Sequence, residues 1–253
     1  MKKTLKAFTL IELIIVMAIM SILMLAIMQM MKPIRSTYVD STLYESQRTT
    51  QSGMVRYLTE KVRYATNLGI YNETESGITC ATDAITKFKN KTKKADGTMI
   101  PDDQIYVITI DNTTNYTYAN KTYKGRIICS KKLAAGGSYN NTVGSAGATD
   151  QGRLALGDAY YGTSNYSIDI KDDGKNLSIS VASLVVNSLG EKETARNVDI
   201  EDIKSSTKFV QTVGYVACQN LAISGGIYDN TYKGSTTTTD GKNVYIVFTL
   251  PKD

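Results

Sequence analysis

A single long apolar stretch from Phe8 to Met31, FTLIELIIVMAIMSILMLAIMQMM, constrains this chain more than any other feature. Glu12, Ser21 and Gln29 interrupt it, and its 24 residues suffice to cross a bilayer as a helix. It holds no Gly or Pro and is built from Leu, Ile, Met and Ala. Helix is therefore its natural state in lipid, where every backbone group must find its partner within the segment.

The helical period continues past the apolar boundary. Val39, Leu43, Met54, Leu58, Val62, Ala65 and Leu68 recur at three- or four-residue steps, with Glu45, Arg48, Glu60, Lys61 and Arg63 on other faces. Unbroken from Phe8 to Leu68, such a helix would run roughly 90 Å at about 1.5 Å per residue. Pro33 predicts a kink or a short non-helical break, because it lacks an amide donor and crowds the preceding turn. Gly69 is the expected stop.

Beyond Gly69 the period changes to two. Strand-like segments fall at 104–111, 125–130, 166–171, 177–186, 208–216 and 243–250, and Asp173-Gly174 reads as a hairpin turn between two of them. The polar stretches 133–150 and 224–241 read as surface loops. The expected fold class is α+β. A long N-terminal helix, apolar over 8–31 and amphipathic over 32–69, packs on a mainly antiparallel β-rich head spanning 70–253.

Targeting follows from where a cut can occur. An ordinary secretory signal is removed after its apolar core at a small-residue site, and the residues from Met28 to Tyr38 offer none. A cut before the core keeps the helix on the mature protein. Lys2, Lys3 and Lys6 precede it and favour a cytoplasmic N terminus, which places the head outside the cytoplasm. Removing them lowers the formal charge from +5 to +2 on the side chains, too little for a nucleic-acid footprint.

The heptapeptide Lys6-Ala7-Phe8-Thr9-Leu10-Ile11-Glu12 resembles the class III signal peptides of type IV pilins, type II secretion pseudopilins and competence pseudopilins. The resemblance implies a leader of residues 1–7, a cut by prepilin peptidase between Ala7 and Phe8, and N-methylation of Phe8. Ala7 departs from the family, which overwhelmingly has Gly there, so cleavage is expected to be slower. The implied partners are the membrane before assembly, then other pilin subunits and the pilus assembly machinery. The implied location is a single-pass cell membrane and then a pilus or pseudopilus.

Glu12 costs on the order of 3 kcal/mol inside an apolar run, which calls for a partner. The resemblance implies that the partner is the new amine of a neighbouring subunit. A looser resemblance covers Arg56 to Ala65, similar to the stretch closing the stalk helix in minor pilins and J-type minor pseudopilins; an ordinary charged amphipathic helix reads the same way.

Cys80, Cys129 and Cys218 are odd in number and widely spaced. They can be structural thiols, one disulfide plus a thiol, or zinc ligands joined by an Asp or Glu, and no metal is expected. Lys87, Lys89, Lys91, Lys93 and Lys94 read as a solvated basic loop, with a DNA- or surface-binding patch as the alternative. The Thr- and Tyr-rich segment 113–123 reads as an exposed strand or an adhesive surface. Asp169, Asp172, Asp173 and Gly174 lack the spacing of a calcium loop and read as a turn.

With no His in the chain there is no Ser-His or Cys-His pair, and no phosphate-binding or zinc-protease motif occurs. No cofactor and no enzyme activity are expected. The chain reads as a filament subunit, minor rather than major because its head is large and loop-rich. The competing reading is a membrane-tethered binding or sensor protein that does not polymerise. The ligand of the head, whether a surface, DNA or a secreted protein, is not legible.

Overall fold

A computed structural model of the chain describes residues 9–73, 77–92, 98–113, 116–118, 121–123, 125–130, 140–143, 151–161, 166–172, 176–184, 209–218, 227–230 and 243–251. Helix α1 runs over 53 residues from Leu10 to Val62. It is continuous through Pro33, so the expected non-helical break does not occur. The Pro33 carbonyl accepts the hydroxyls of Ser36 and Thr37, both at 2.9 Å.

The helix ends earlier than the sequence pattern suggests. After Val62 the chain turns through Ala65, whose amide donates to the Val62 carbonyl at 3.1 Å, and enters strand β1, Asn67–Asn72. Leu68 and Gly69 are thus strand residues, and the expected stop at Gly69 is corrected. Leu68 keeps the apolar spacing of the helix, but it reaches the core from a strand.

Two further α-helices and three sheets build the described part of the head. Helix α2 is Ala81–Lys91, and a short α3 spans Asp158–Tyr161. Strands β2 (Ile105–Asp111), β5 (Arg126–Ser130), β6 (Asn140–Val143), β7 (Gln151–Leu154), β11 (Ile227–Asn230) and β12 (Val244–Thr249) join β1 in a seven-stranded sheet of order β11-β1-β12-β2-β5-β7-β6. Its pairings are antiparallel except β1 with β11 and β6 with β7.

Strands β8 (Tyr166–Asp172), β9 (Asn176–Leu184) and β10 (Phe209–Ala217) form a three-stranded antiparallel sheet, and β3 (Tyr116–Tyr118) pairs with β4 (Lys121–Tyr123) in a two-stranded ribbon. The six strands read from the sequence are all present, and β8 and β9 pair as a hairpin. Its turn at Asp173-Gly174 lies outside the described residues. Strands β6 and β11 correct the reading of 133–150 and 224–241 as loops throughout.

The central strands β1, β12 and β2 are buried on both faces, which is why β2 and β12 read as nearly continuous apolar runs. On one face Ile108, Ile110, Val244, Ile246 and Phe248 share a core with Met54, Leu58 and Val62 of α1 and with Ile168, Ile179, Val181 and Val216 of the small sheet. On the other, Ile105, Val107, Tyr245 and Val247 pack against Ala81, Ala84, Ile85 and Phe88 of α2. Those four residues follow the i, i+3, i+4, i+7 spacing of an amphipathic helix.

Two glycines mark places where backbones approach closely. Gly125 has φ +85°, and a Cβ there would lie 2.0 Å from the Tyr166 carbonyl oxygen. A Cβ on Gly214 of β10 would lie 2.2 Å from Val55 Cγ1, so α1 presses directly on the strand backbone.

Candidate functional site

The helix start is built by a reciprocal cap. Thr9 is the N-cap in extended conformation, and its amide and hydroxyl both donate to Glu12 Oε2 at 2.9 Å. The Glu12 amide donates back to Thr9 Oγ1 at 3.4 Å. This capping box satisfies two of the free amide donors at the helix start and gives the lone carboxylate of the apolar run a local partner. Sequence reasoning singled out Glu12 and missed Thr9, although Thr-x-x-Glu ahead of an apolar run is the signature of such a cap. Ala7 and Phe8, the proposed cleavage positions, lie outside the described residues.

From Leu10 onward the helix has no cover. Its large apolar side chains are half to nearly four-fifths exposed, from Leu10 at 78% to Met31 at 62%. Ser21, inside this run, donates its hydroxyl to the Met17 carbonyl at 2.7 Å, so it adds no unsatisfied group. This segment is long and apolar enough to cross a membrane. The fully exposed part continues to Arg35, so the helix stands free over about 39 Å at about 1.5 Å per residue, and from Ser36 to Ser46 one stripe is partly buried.

The head takes hold at Gln47. Gln47, Thr50 and Gln51 are buried, and the apolar residues Met54, Val55, Leu58 and Val62 follow. Gln51 bridges the small sheet: its Nε2 donates to Ser183 Oγ of β9 at 2.9 Å, and its Oε1 accepts from Thr212 Oγ1 of β10 at 3.0 Å. Such a pair of bonds fixes both the height and the rotation of the helix on the sheet. The apolar periodicity located the distal half of this seam and was silent on its polar entrance.

The cysteines separate. Cys80 and Cys218 are thiols in this structure, and the side chain of Cys129, on β5, lies outside the described residues. Burial pushes the Cys218 thiol up to about 11, which keeps it protonated and inert. Cys80 is the N-cap of α2, and its Sγ lies 3.4 Å from Asp83 Oδ2. That carboxylate also accepts the Thr79 hydroxyl at 2.7 Å and amide at 2.9 Å, and these bonds hold Asp83 below the usual carboxylate range.

The basic run is not a loop where it is described: Lys87, Lys89 and Lys91 belong to α2. Lys89 pairs with Asp102, and Lys87 lies over the Tyr71 ring at 5.9 Å. The last-turn lysines suit the negative end of the helix dipole. Lys93 and Lys94 lie outside the described residues. Of the segment 113–123, Thr113 and the ribbon β3–β4 are the described parts.

A polar network closes one end of the central strands β1, β12 and β2. Tyr245 donates to Glu73 Oε1 at 2.6 Å, Asn243 Nδ2 donates to the same oxygen at 3.0 Å, and Asn243 Oδ1 accepts the amides of Asn112 and Thr113 at 3.0 and 3.3 Å. Burial and the Glu73 carboxylate push the Tyr245 phenol upward. The network ties three chain segments together, and it brings no nucleophile and base into alignment. Among the described residues no group of three or more Cys, Asp or Glu could hold a metal ion.

Residues 3–28 match the prokaryotic N-terminal methylation motif, which takes in the heptapeptide Lys6 to Glu12 and most of the apolar stretch. The match supports the pilin and pseudopilin resemblance, a membrane anchor and a structural rather than catalytic role. No curated protein and no solved structure matches the chain.

Proposed function

We propose that this chain, carrying the N-terminal methylation motif of type IV pilin-like proteins, is a structural subunit of a pilus-like filament, and a minor one. The carrying observation is that one continuous helix begins with this motif and leaves its whole apolar half uncovered by its own head. Lipid covers that half before assembly, and neighbouring apolar helices cover it in the filament. The large, loop-rich head favours the minor role.

Cleavage by prepilin peptidase between Ala7 and Phe8 creates an amine four positions before Glu12. While the leader is attached, Glu12 is held by Thr9. Once the amine exists, a cation on a neighbouring subunit competes for the same carboxylate in a low-dielectric bundle, where opposite charges attract far more strongly than in water. The head is carried outside the cytoplasm, and its ligand stays open.

Mass spectrometry of the protein from its native cell tests the reading. The expected chain starts at methylated Phe8 and is found in the sheared filament fraction. A chain that retains Met1, or one that is cut but absent from filaments, sinks it and favours a tethered sensor. Glu12→Leu is expected to insert and be cleaved, yet to leave the filament fraction; normal incorporation would remove the pairing role.

A further inference from the structure

We infer that the outer face of the three-stranded sheet is a binding platform for a neutral oligosaccharide, with the Tyr215 ring at its centre. The site requires a folded head and not a filament, so loss of sugar binding and loss of filament entry are separate results.

Strand β10 shows its two sides to different surroundings. Thr212 bonds Gln51, Gly214 lies against Val55, and Val216 is buried in the core. The alternate residues Gln211, Val213, Tyr215 and Ala217 are exposed on the other side, Tyr215 at 77% and Val213 at 43%. Pairing carries the same face onto β9, where the register sets Asn176 beside Ala217, Ser178 beside Tyr215, Ser180 beside Val213 and Ala182 beside Gln211.

An exposed tyrosine by itself is ordinary. Here every neighbour of the ring on that face is short: Val213 and Ala217 along the strand, Ser178 opposite, Asn176 and Ser180 on the diagonals. An aromatic residue on a sheet is stabilised by a large side chain across the strands, which covers part of its ring. Tyr215 faces a serine instead, and its ring is left open. Around it stand groups that exchange hydrogen bonds with hydroxyls. Asn176 is exposed, Ser178 and Ser180 are half-buried, and Gln211 donates from Nε2 to Ser180 Oγ at 2.5 Å.

Three properties of the face select the ligand. A sheet face is shallow, whereas small molecules are held in concave pockets, so a chain-like ligand fits better. The residues that β9 and β10 contribute are uncharged, and the register adds Asp169 opposite Ser180 and Lys171 opposite Ser178, one anion and one cation that cancel. A polyanion therefore meets no net positive field. Four alternate positions across three strands cover about 20 by 10 Å, on the order of 200 Å², well short of the roughly 800 Å² per partner of a stable protein contact. A short run of neutral sugar rings meets all three conditions. Its C–H face lies on the tyrosine ring, and its hydroxyls trade hydrogen bonds with the amides and serines around it.

Titration of the full-length chain in a phosphocholine detergent, which has no sugar head group, tests the site by saturation-transfer NMR. The probes are maltotriose, cellotriose and chitotriose, with a hyaluronan tetrasaccharide as the acidic comparison. At least one neutral trisaccharide is expected to bind with a Kd of about 1 mM or below. Tyr215→Ala and Ser178→Leu, which remove or crowd the ring, should each weaken it by at least about fivefold, while Tyr215→Phe stays within about threefold. Tyr64→Ala removes another exposed tyrosine and should leave affinity unchanged. Unchanged thermal midpoints report that the variants fold.

No binding of any neutral probe overturns the proposal, as does tighter binding of the acidic one. Undiminished affinity in folded Tyr215→Ala or Ser178→Leu overturns it too. So does an equal loss with Tyr64→Ala, which would place the sugar elsewhere on the head.

Discussion

The two halves of α1 are one helix in two environments. From Leu10 to Arg35 the side chains face outward on every side, from Ser36 to Ser46 a stripe including Val39 and Leu43 is partly buried, and from Gln47 to Val62 the stripe is buried against the head. Both are helical throughout, so what differs is the source of burial. The docked half is stabilised by its own chain. The bare half can be stabilised only by something else, which makes it the part committed to lipid or to other subunits.

The largest break in this comparison is removal of the bare half. A chain lacking residues 1–34 is expected to be soluble, monomeric and folded, while the full chain partitions into membrane or detergent. Size-exclusion chromatography and circular dichroism check this. An aggregated fragment, or one lacking either helix or strand signal, would show that the head needs the apolar half.

Single core truncations sharpen the contrast. Leu58→Ala removes a fully buried side chain and should cost about 2–5 kcal/mol in denaturant unfolding of the head. Leu23→Ala, in the bare half, should leave head stability in the full-length protein in detergent within about 0.5 kcal/mol. Equal effects would mean that the two halves are not independent.

At the boundary between the halves, Gln51→Leu leaves the buried Ser183 hydroxyl and the half-buried Thr212 hydroxyl without this partner. The expected loss is about 1–3 kcal/mol, read from the denaturation midpoint. Unchanged or higher stability would show that Gln51 sets position without adding strength, as buried polar groups do in some packed helices.

The smallest effect is expected in α2, far from the boundary. Hydrogen bonds from Thr79 and Cys80 depress the Asp83 carboxyl, so the folded state prefers it ionised. That contribution is fully present above the unfolded value of about 3.9 and is lost as pH falls through the depressed folded one. Thermal midpoints of the head and its Asp83→Asn variant should therefore differ near neutrality and converge in acid. Parallel curves throughout would remove Asp83 from the account.

The sequence was most legible where one face of an element is apolar and the other polar. The long helix and the six strands met that condition, or ran apolar throughout as β2 and β12 do. Helix α2 met it too through Ala81, Ala84, Ile85 and Phe88, but its lysines were read as solvation of a loop. Leu68 misled because a strand following a helix continued the spacing by coincidence.

Gln47, Thr50 and Gln51 were illegible for a different reason. A polar residue is read as exposed unless its partner is known, and Ser183 and Thr212 are more than a hundred positions away. The pairing order of the main sheet was hidden likewise, since β1 finds β12 from the far side of the chain. At the candidate site, Glu12 stood out as a lone charge, whereas Thr9 did not, because a hydroxyl at a helix start costs little.

The handover from α1 to β1 has a mechanical consequence. A pull on the embedded helix is carried first by the seam from Gln47 to Val62 and then, along the backbone, by Thr66 and Asn67, both fastened to Thr249: the Thr66 amide bonds its carbonyl at 2.8 Å, and Asn67 Nδ2 bonds its hydroxyl at 2.9 Å. Behind them β1 is laced along its six residues to β12 on one edge and to β11 on the other. Tension along β1 is then shared by a row of bonds loaded together, the arrangement that resists tearing, where a peeled edge would give way one bond at a time. A head hung from its stalk in this way resists tearing at the strand where the stalk ends.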